Sequence, residues 1–185
     1  GGSGDYSSYH PKSQAWVEPL LRFMQRALEN NTPGFGLCFG HQLLGTLMGS
    51  TVETDLQCAE VGTIELSLTP AGKNDPIFGQ IPASFAAQTG HSDYVTHAPP
   101  GVTVLVQGGK IPTQAFKVNN KNFYSTQFHP DLSGEQARER YRAYREKIRA
   151  PGVDDGENLF LIGKDDATKL LTEFGVLIRT LKEPA

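Results

Sequence analysis

Two groups of residues in this chain have types and spacing suited to covalent chemistry. The first is Gly36-Leu37-Cys38-Phe39-Gly40-His41-Gln42, with apolar Phe35 and Leu37 before the cysteine and Leu43, Leu44, Leu47 and Met48 after it. That order predicts a strand, a sharp turn and a helix. The turn presents one nucleophilic side chain at the carboxyl end of the strand. Glycine is expected on both sides of Cys38, because a strained, crowded turn leaves no room for a Cβ. A sulfur at a helix N-terminus also faces the positive end of the helix dipole, which favours the thiolate. The second group is Ser125-Thr126-Gln127-Phe128-His129-Pro130-Asp131. His129 follows the β-prone residues Phe123, Tyr124 and Phe128, so it is expected at a strand end, where it can serve as a base. Asp131, just past a rigid proline, is expected to hold the imidazole in one tautomer and stabilise its cation. A nucleophile, a base and an orienting acid together make nucleophilic catalysis at an acyl carbon the expected chemistry.

On these motifs the chain resembles the class I (triad-type) glutamine amidotransferases. Within them it is similar to the glutaminase domain of GMP synthase and its stand-alone relatives. The family elbow reads G-x-C-x-G-x-Q and matches Gly36 to Gln42. The family base motif F-H-P-E is similar to Phe128-His129-Pro130-Asp131, with Asp in place of the usual Glu. A segment close to S-H-G-D resembles Gly90-His91-Ser92-Asp93, departing from it at Gly90 and Ser92. A glycine loop close to S-G-G-P-x-S-V-Y resembles Gly2 to Tyr9, with Asp5 in place of proline. The resemblance runs from residue 1 to about 131.

The resemblance implies hydrolysis of L-glutamine to glutamate and ammonia through a cysteine thioester, with Cys38, His129 and Asp131 as the triad. It implies that the N–H groups of Phe39 and Gly4 form the oxyanion hole, where donors fixed in advance meet the developing charge. It implies glutamine contacts at Gln42, and at His91, Ser92 and Asp93 largely through backbone. No cofactor is implied. Ammonia is implied to pass to an ATP-dependent synthetase on another chain, since no G-x-x-x-x-G-K-[ST] phosphate loop stands in this one. The implied fold is α/β, a three-layer α/β/α arrangement around a mostly parallel sheet, with the site at the strand carboxyl ends. In the family, strands precede the glycine loop. Here that loop lies at residue 4, so the chain is expected to be a single domain over 1–185 without those first strands. Residues 132–185 are expected to be a helical C-terminal extension.

Composition limits the alternatives. The chain has 185 residues, of which 38% are hydrophobic, enough for one domain with a sizeable core. Net charge is −3, which gives no electrostatic reason to expect nucleic acid or a membrane surface as partner. No apolar run approaches the roughly 20 residues that span a bilayer. Two cysteines, one of them in the elbow, do not form a disulfide framework; with no signal-peptide pattern, a reducing cytoplasm is expected. No C-x-x-C or H-E-x-x-H spacing suggests a metal site.

The remaining elements follow from periodicity. Trp16, Val17, Leu20, Leu21, Met24 and Leu28 recur at helical spacing and predict a helix from Ser13 to Leu28. Strands are predicted at 61–68, 84–88, 102–107, 113–118 and 122–128. Thr69 to Gly72 reads as a turn, and Asn119 to Asn122 as a hairpin turn. Ser133 is expected to cap a charged helix running through Arg149, with a loop from Pro151 to Gly156 after it. A final helix is expected from Asp165 or Asp166 to Leu181, with Leu170, Leu171, Phe174 and Leu177 on one face. His41 reads as structural, His10 and His97 as surface residues, and Cys58 as a structural thiol. The mixed charges of the 133–149 helix read as a solvated face. Two other functions fit the same residues: a γ-glutamyl peptide or amide hydrolase, and a non-catalytic binding or regulatory member of the fold.

Overall fold

The computed structural model describes residues 7–144 and 159–182. Thirteen elements follow in chain order. They are α1 (Gln14–Glu29), β1 (Gly34–Leu37), α2 (Phe39–Leu47), β2 (Val52–Thr54), β3 (Glu60–Leu68), α3 (Pro70–Asn74), β4 (Ser84–His91) and β5 (Asp93–Val95). After them come β6 (Val102–Gln107), β7 (Ala115–Val118), β8 (Phe123–Thr126), α4 (Gly134–Tyr144) and α5 (Lys169–Lys182).

Six strands form one sheet in the order β1-β8-β7-β6-β3-β4, and β2 pairs with β5 apart from it. Residues alternate between the two sheet faces, as a period of two requires. On one face Phe116, Val118 and Phe123 meet Leu44 of α2, with Met24, Ala27 and Leu28 of α1 packed against them. On the other face Leu66, Phe85, Leu105, Ala115 and Tyr124 pack against Ile77, Phe78 and Leu170, with Phe174 and Leu177 of α5 at the margin. Helices on both faces give the expected layered α/β architecture.

The sheet itself is mixed, which corrects the expectation of a mostly parallel one. Among the described strands, β1 and β8 alone pair in parallel. The pairs β3–β4, β3–β6, β6–β7 and β7–β8 are antiparallel. For β6–β7 and β7–β8 the reason is connection length. Four residues join β7 to β8, and a parallel return needs a crossover of about a dozen residues or more. Asn120, at φ +59°, turns that hairpin in the left-handed region, where asparagine is among the better-tolerated residues. Among the described strands β1 pairs with β8 only. It also borders an apolar groove of about 470 Å³, whose lining includes Trp16, Leu20, Phe23, Met24, Phe35 and Phe39.

Two other expectations change in detail. The turn after β3 is the short helix α3, because the Thr69 hydroxyl accepts from Gly72 N–H at 3.0 Å and Pro70 fits the first turn. Helix α4 starts where expected, through a reciprocal cap: Ser133 Oγ accepts from Gln136 N–H at 3.2 Å, and Gln136 Oε1 accepts from Ser133 N–H at 2.9 Å. Its expected continuation to Arg149 and the loop after it lie outside the described residues. Ala137 and Tyr141 seat α4 against Phe160, beside Val61 of β3.

Candidate active site

The parallel pair β1–β8 builds the site. Its register places Gly36 opposite Ser125 and Leu37 opposite Thr126, so both strands end together. Cys38 follows β1 and its N–H bonds the Thr126 carbonyl at 2.8 Å. The chain then turns sharply. Cys38 has φ +49° and ψ −96°, outside the regions ordinary residues occupy, and is the N-cap of α2. Holding a non-glycine residue there costs about 1–3 kcal/mol, which the packing on both sides must offset. Gly36 is needed: a Cβ there would lie 2.7 Å from the Gly40 carbonyl oxygen. Gly40 is not needed for the same reason, since a Cβ there would meet nothing within 4 Å. The expected clash therefore exists on one side of the cysteine only, because Gly36 backs onto the first helical turn and Gly40 faces open space.

His129 is brought to Cys38 by β8 and fixed by β4, because its N–H bonds the Gln88 carbonyl at 2.8 Å. Its Nδ1 lies 2.9 Å from Asp131 Oδ1, so the shorter acid reaches the imidazole across Pro130. The imidazole is 5% exposed and the carboxylate 35%. Burial pushes the His129 pKa down. Hydrogen bonds to Asp131 and Cys38 outweigh it, so the pKa is raised from 6.5 to about 9. Burial pushes Asp131 up, but its bond to His129 and the imidazolium charge hold it below its ordinary 3.8. The pair is therefore charged at neutral pH, with a cation directed at the sulfur.

The other residues singled out by sequence are placed as follows. Phe39 is the first residue of α2, so its N–H has no acceptor within the helix. Its ring is buried beside Trp16, Val17 and Leu43. Gly4 lies outside the described residues. Gln42 is 4% exposed, and its Nε2 donates to the Asp93 carbonyl at 2.9 Å and to Gln127 Oε1 at 3.5 Å. The His91 Nε2 lies 3.1 Å from Glu60 Oε2, both groups being buried. Glu60 also accepts from Lys110 N–H at 2.8 Å and from Gln114 Nε2 at 2.7 Å. Burial pushes Glu60 up, and these donors with His91 hold it below its ordinary value. Ser92 offers its carbonyl to Asp55 N–H at 3.3 Å, and Asp93 accepts from the Thr54 hydroxyl at 2.6 Å. His41 is fully buried on Ser125 and Phe116, and burial lowers its pKa to about 3, so it is neutral and cannot be the acid.

Sequence reading assigned no role to Gln127, which is fully buried with Nε2 3.5 Å from Cys38 Sγ. Its place two residues before His129 was the available signal. Glu60 was also missed, since nothing local links it to His91, 31 positions later. Cys58 is half-buried beside Asp55, and His10 and His97 are exposed. Among the described residues no cluster of His, Cys, Asp and Glu is placed to hold a metal, and no helix is long and apolar enough to cross a membrane.

The fold and this elbow define a class of protein. The model of the family "Glutamine amidotransferase class-I" matches residues 1–144, and the chain belongs to that family. Among curated relatives, it is 34% identical over 132 residues to the glutamine-hydrolysing GMP synthase of a Parafrankia species. It is 30% identical over 120 residues to that of Streptomyces avermitilis. The matches cover 70% and 65% of this chain but 22% of each relative, so the chain spans about a fifth of their length. Among solved structures, a glutamine amidotransferase from Thermotoga maritima superposes with a TM-score of 0.78 at 18% identity. That match covers 99% of this chain and 76% of the other. A glutamine amidotransferase from Methylobacillus flagellatus gives 0.67 at 20% identity, covering 94% and 68%.

Proposed function

We propose that this chain hydrolyses the side-chain amide of L-glutamine through a Cys38–His129–Asp131 triad and delivers the ammonia to a separate ATP-dependent synthetase. The observation that supports this most is the meeting of a nucleophile at φ +49° with a histidine held 2.9 Å from a carboxylate. The Cys38 thiolate attacks the amide carbon, and the oxygen takes up the negative charge. The Phe39 N–H and that of Gly4 are the proposed donors to it. The His129 imidazolium gives its proton to the departing amine, and ammonia leaves a γ-glutamyl thioester on Cys38. His129, now neutral, takes a proton from water, which attacks the thioester. Glutamate leaves and the thiolate returns, with His129 charged again. Asp131 holds Nδ1–H throughout, so the other ring nitrogen faces the sulfur.

Gln42 and the backbone of His91, Ser92 and Asp93 are the proposed contacts for the amino-acid end of glutamine. The Gln42 bond to the Asp93 carbonyl ties the two groups into one wall. The synthetase partner is inferred from the GMP synthase relatives, of which this chain matches only one portion.

The test is ammonia release from glutamine by the purified chain, alone and with fractions of native extract containing ATP-using synthetases. Basal release should be low, abolished in Cys38→Ala, and raised by the partner. Fast turnover without a partner, on γ-glutamyl peptides in preference to glutamine, would replace this reading with that of a γ-glutamyl hydrolase. A chain with no thiol-dependent turnover on either substrate would be a non-catalytic member.

A further inference from the structure

The nucleophile has a second polar neighbour besides His129. Gln127 is the first residue past β8, and its N–H bonds the Gln114 carbonyl at 2.8 Å, which fixes its backbone against the segment leading into β7. Its side chain is fully buried and reaches Cys38 Sγ at 3.5 Å.

Which atom of the Gln127 amide meets the sulfur is settled by a chain of hydrogen bonds that ends on the backbone. The Asp93 carbonyl can only accept. The Gln42 atom 2.9 Å from it must therefore be the NH2 group. That same NH2 faces Gln127 at 3.5 Å, so the Gln127 atom there must be the carbonyl oxygen. The other end of the Gln127 amide, toward Cys38, is then an NH2 group. Reversing Gln127 would set two donors against each other and place a carbonyl oxygen against a thiolate. A buried N–H with a sulfur as its neighbour gains little from a neutral thiol, a weak acceptor, and much more from a thiolate.

We propose that Gln127 is a catalytic residue of this site: its side-chain amide donates to the Cys38 sulfur, holds the thiolate for attack and receives it again when the thioester breaks. The bond is strongest when the sulfur carries its full charge. That occurs before attack and after loss of glutamate, so the same donor assists the sulfur as a leaving group in the second half-reaction. Gln42 is the positioning residue behind it. The charged groups facing the sulfur are His129 and, behind it, Asp131. On α2, His41 is turned to Ser125 and Phe116, and from β5 the Asp93 carboxylate is turned to Thr54. The sulfur thus has a charged neighbour in His129 and a neutral donor in Gln127. Only the neutral one keeps its character when His129 has given up its proton. This rests on Cys38 being the nucleophile, but not on the identity of the substrate.

The experiment is the rate of Cys38 alkylation by iodoacetamide as a function of pH, read by peptide mass so that Cys58 is scored separately. It is done on the full chain and on Gln127→Met, which keeps the volume and removes the donor. In Gln127→Met the rate at pH 7 should fall about tenfold and recover at high pH, with the acid limb of the profile moved upward, as loss of a charge-assisted hydrogen bond requires. Gln127→Glu, which places a carboxylate on the sulfur, should fall further at pH 7. If Gln127→Met folds and its profile superposes on the parent's, Gln127 only fills space and the proposal is overturned. Should both variants fail to fold, the Gln127 side-chain amide resonances of the parent decide. They should move with pH at the same midpoint as the alkylation rate and stop moving once Cys38 is alkylated; resonances indifferent to the state of Cys38 overturn the proposal. Neither measurement uses glutamine, so a failure of the glutaminase reading stays separate from a failure of this one.

Discussion

Replacing Asp131 by Asn tests how much of the site rests on an acid one methylene shorter than the family's usual Glu. Moving the His129 pKa from 6.5 to about 9 corresponds to about 3 kcal/mol in favour of the imidazolium. That gain is net of burial, which pulls the other way, and is shared between Asp131 and Cys38. The Asp131 carboxylate is 35% exposed, so its share is discounted for solvent screening. About 2 kcal/mol remains, roughly thirtyfold in turnover if the whole of it is used in the transition state. Loss of the charge should also move the alkaline limb of the pH–rate profile from about 9 down to about 7.5, by the same conversion. The assay is ammonia release from glutamine between pH 6 and 10, with the His129 ring protons followed by NMR in both proteins. Asp131→Glu should retain most of the activity, since the charge survives. If Asp131→Asn turns over within twofold of the parent and its alkaline limb still lies near 9, the acid has no role and the site is a Cys–His dyad.

A glutamine-like chloroketone should label the chain once, at Cys38; labelling chiefly at Cys58 would remove the proposed nucleophile. Gly36→Ala should destabilise the fold by about 2–3 kcal/mol, because its Cβ would press on the Gly40 carbonyl at 2.7 Å. Gly40→Ala, with open space at that Cβ, should be neutral or gain up to about 1 kcal/mol of helix propensity, and chemical denaturation reads both. The folded chain holds the His129 proton more tightly than the unfolded one, so this contribution to stability is full below pH 6.5 and lost as pH rises through about 9. The lowered pKa of Asp131 works in the opposite direction: its contribution is full above about 3.8 and lost in acid, and urea unfolding at several pH values checks both limbs.

Features that depend on near neighbours along the chain were legible. The elbow is one, because glycine, apolar runs and cysteine within seven residues specify a strand, a turn and a helix. The start of α4 is another, since Ser133 and Gln136 satisfy each other three residues apart. So is the Asn119–Asn122 hairpin, where Asn120 takes the left-handed conformation. What failed had a distant cause. The short strands β2 and β5 exist only because Val52–Thr54 meets Asp93–Val95, and neither has a pattern of its own. The buried contact of His91 with Glu60 was not legible either, since its partners stand 31 residues apart. Whether Gly36 or Gly40 is sterically required depends on what faces each, which spacing does not reveal.

The sequence by itself determined the chemistry on offer: a cysteine where a strand turns into a helix, and a histidine and an acid two residues apart across a proline. These are local properties, set by turn sterics and by the fixed reach of a short segment. Only the tertiary structure decided that the two segments meet. The parallel pairing of β1 with β8 ends both strands at one level, so Cys38 and His129 arrive from opposite sides of a 91-residue separation. It also decided the sheet's mixed direction, the burial that keeps His41 neutral, and the amide of Gln127 beside the sulfur. Each of these is a contact between residues far apart in the chain, and register, burial and hydrogen-bond direction acquire values only once the strands have paired.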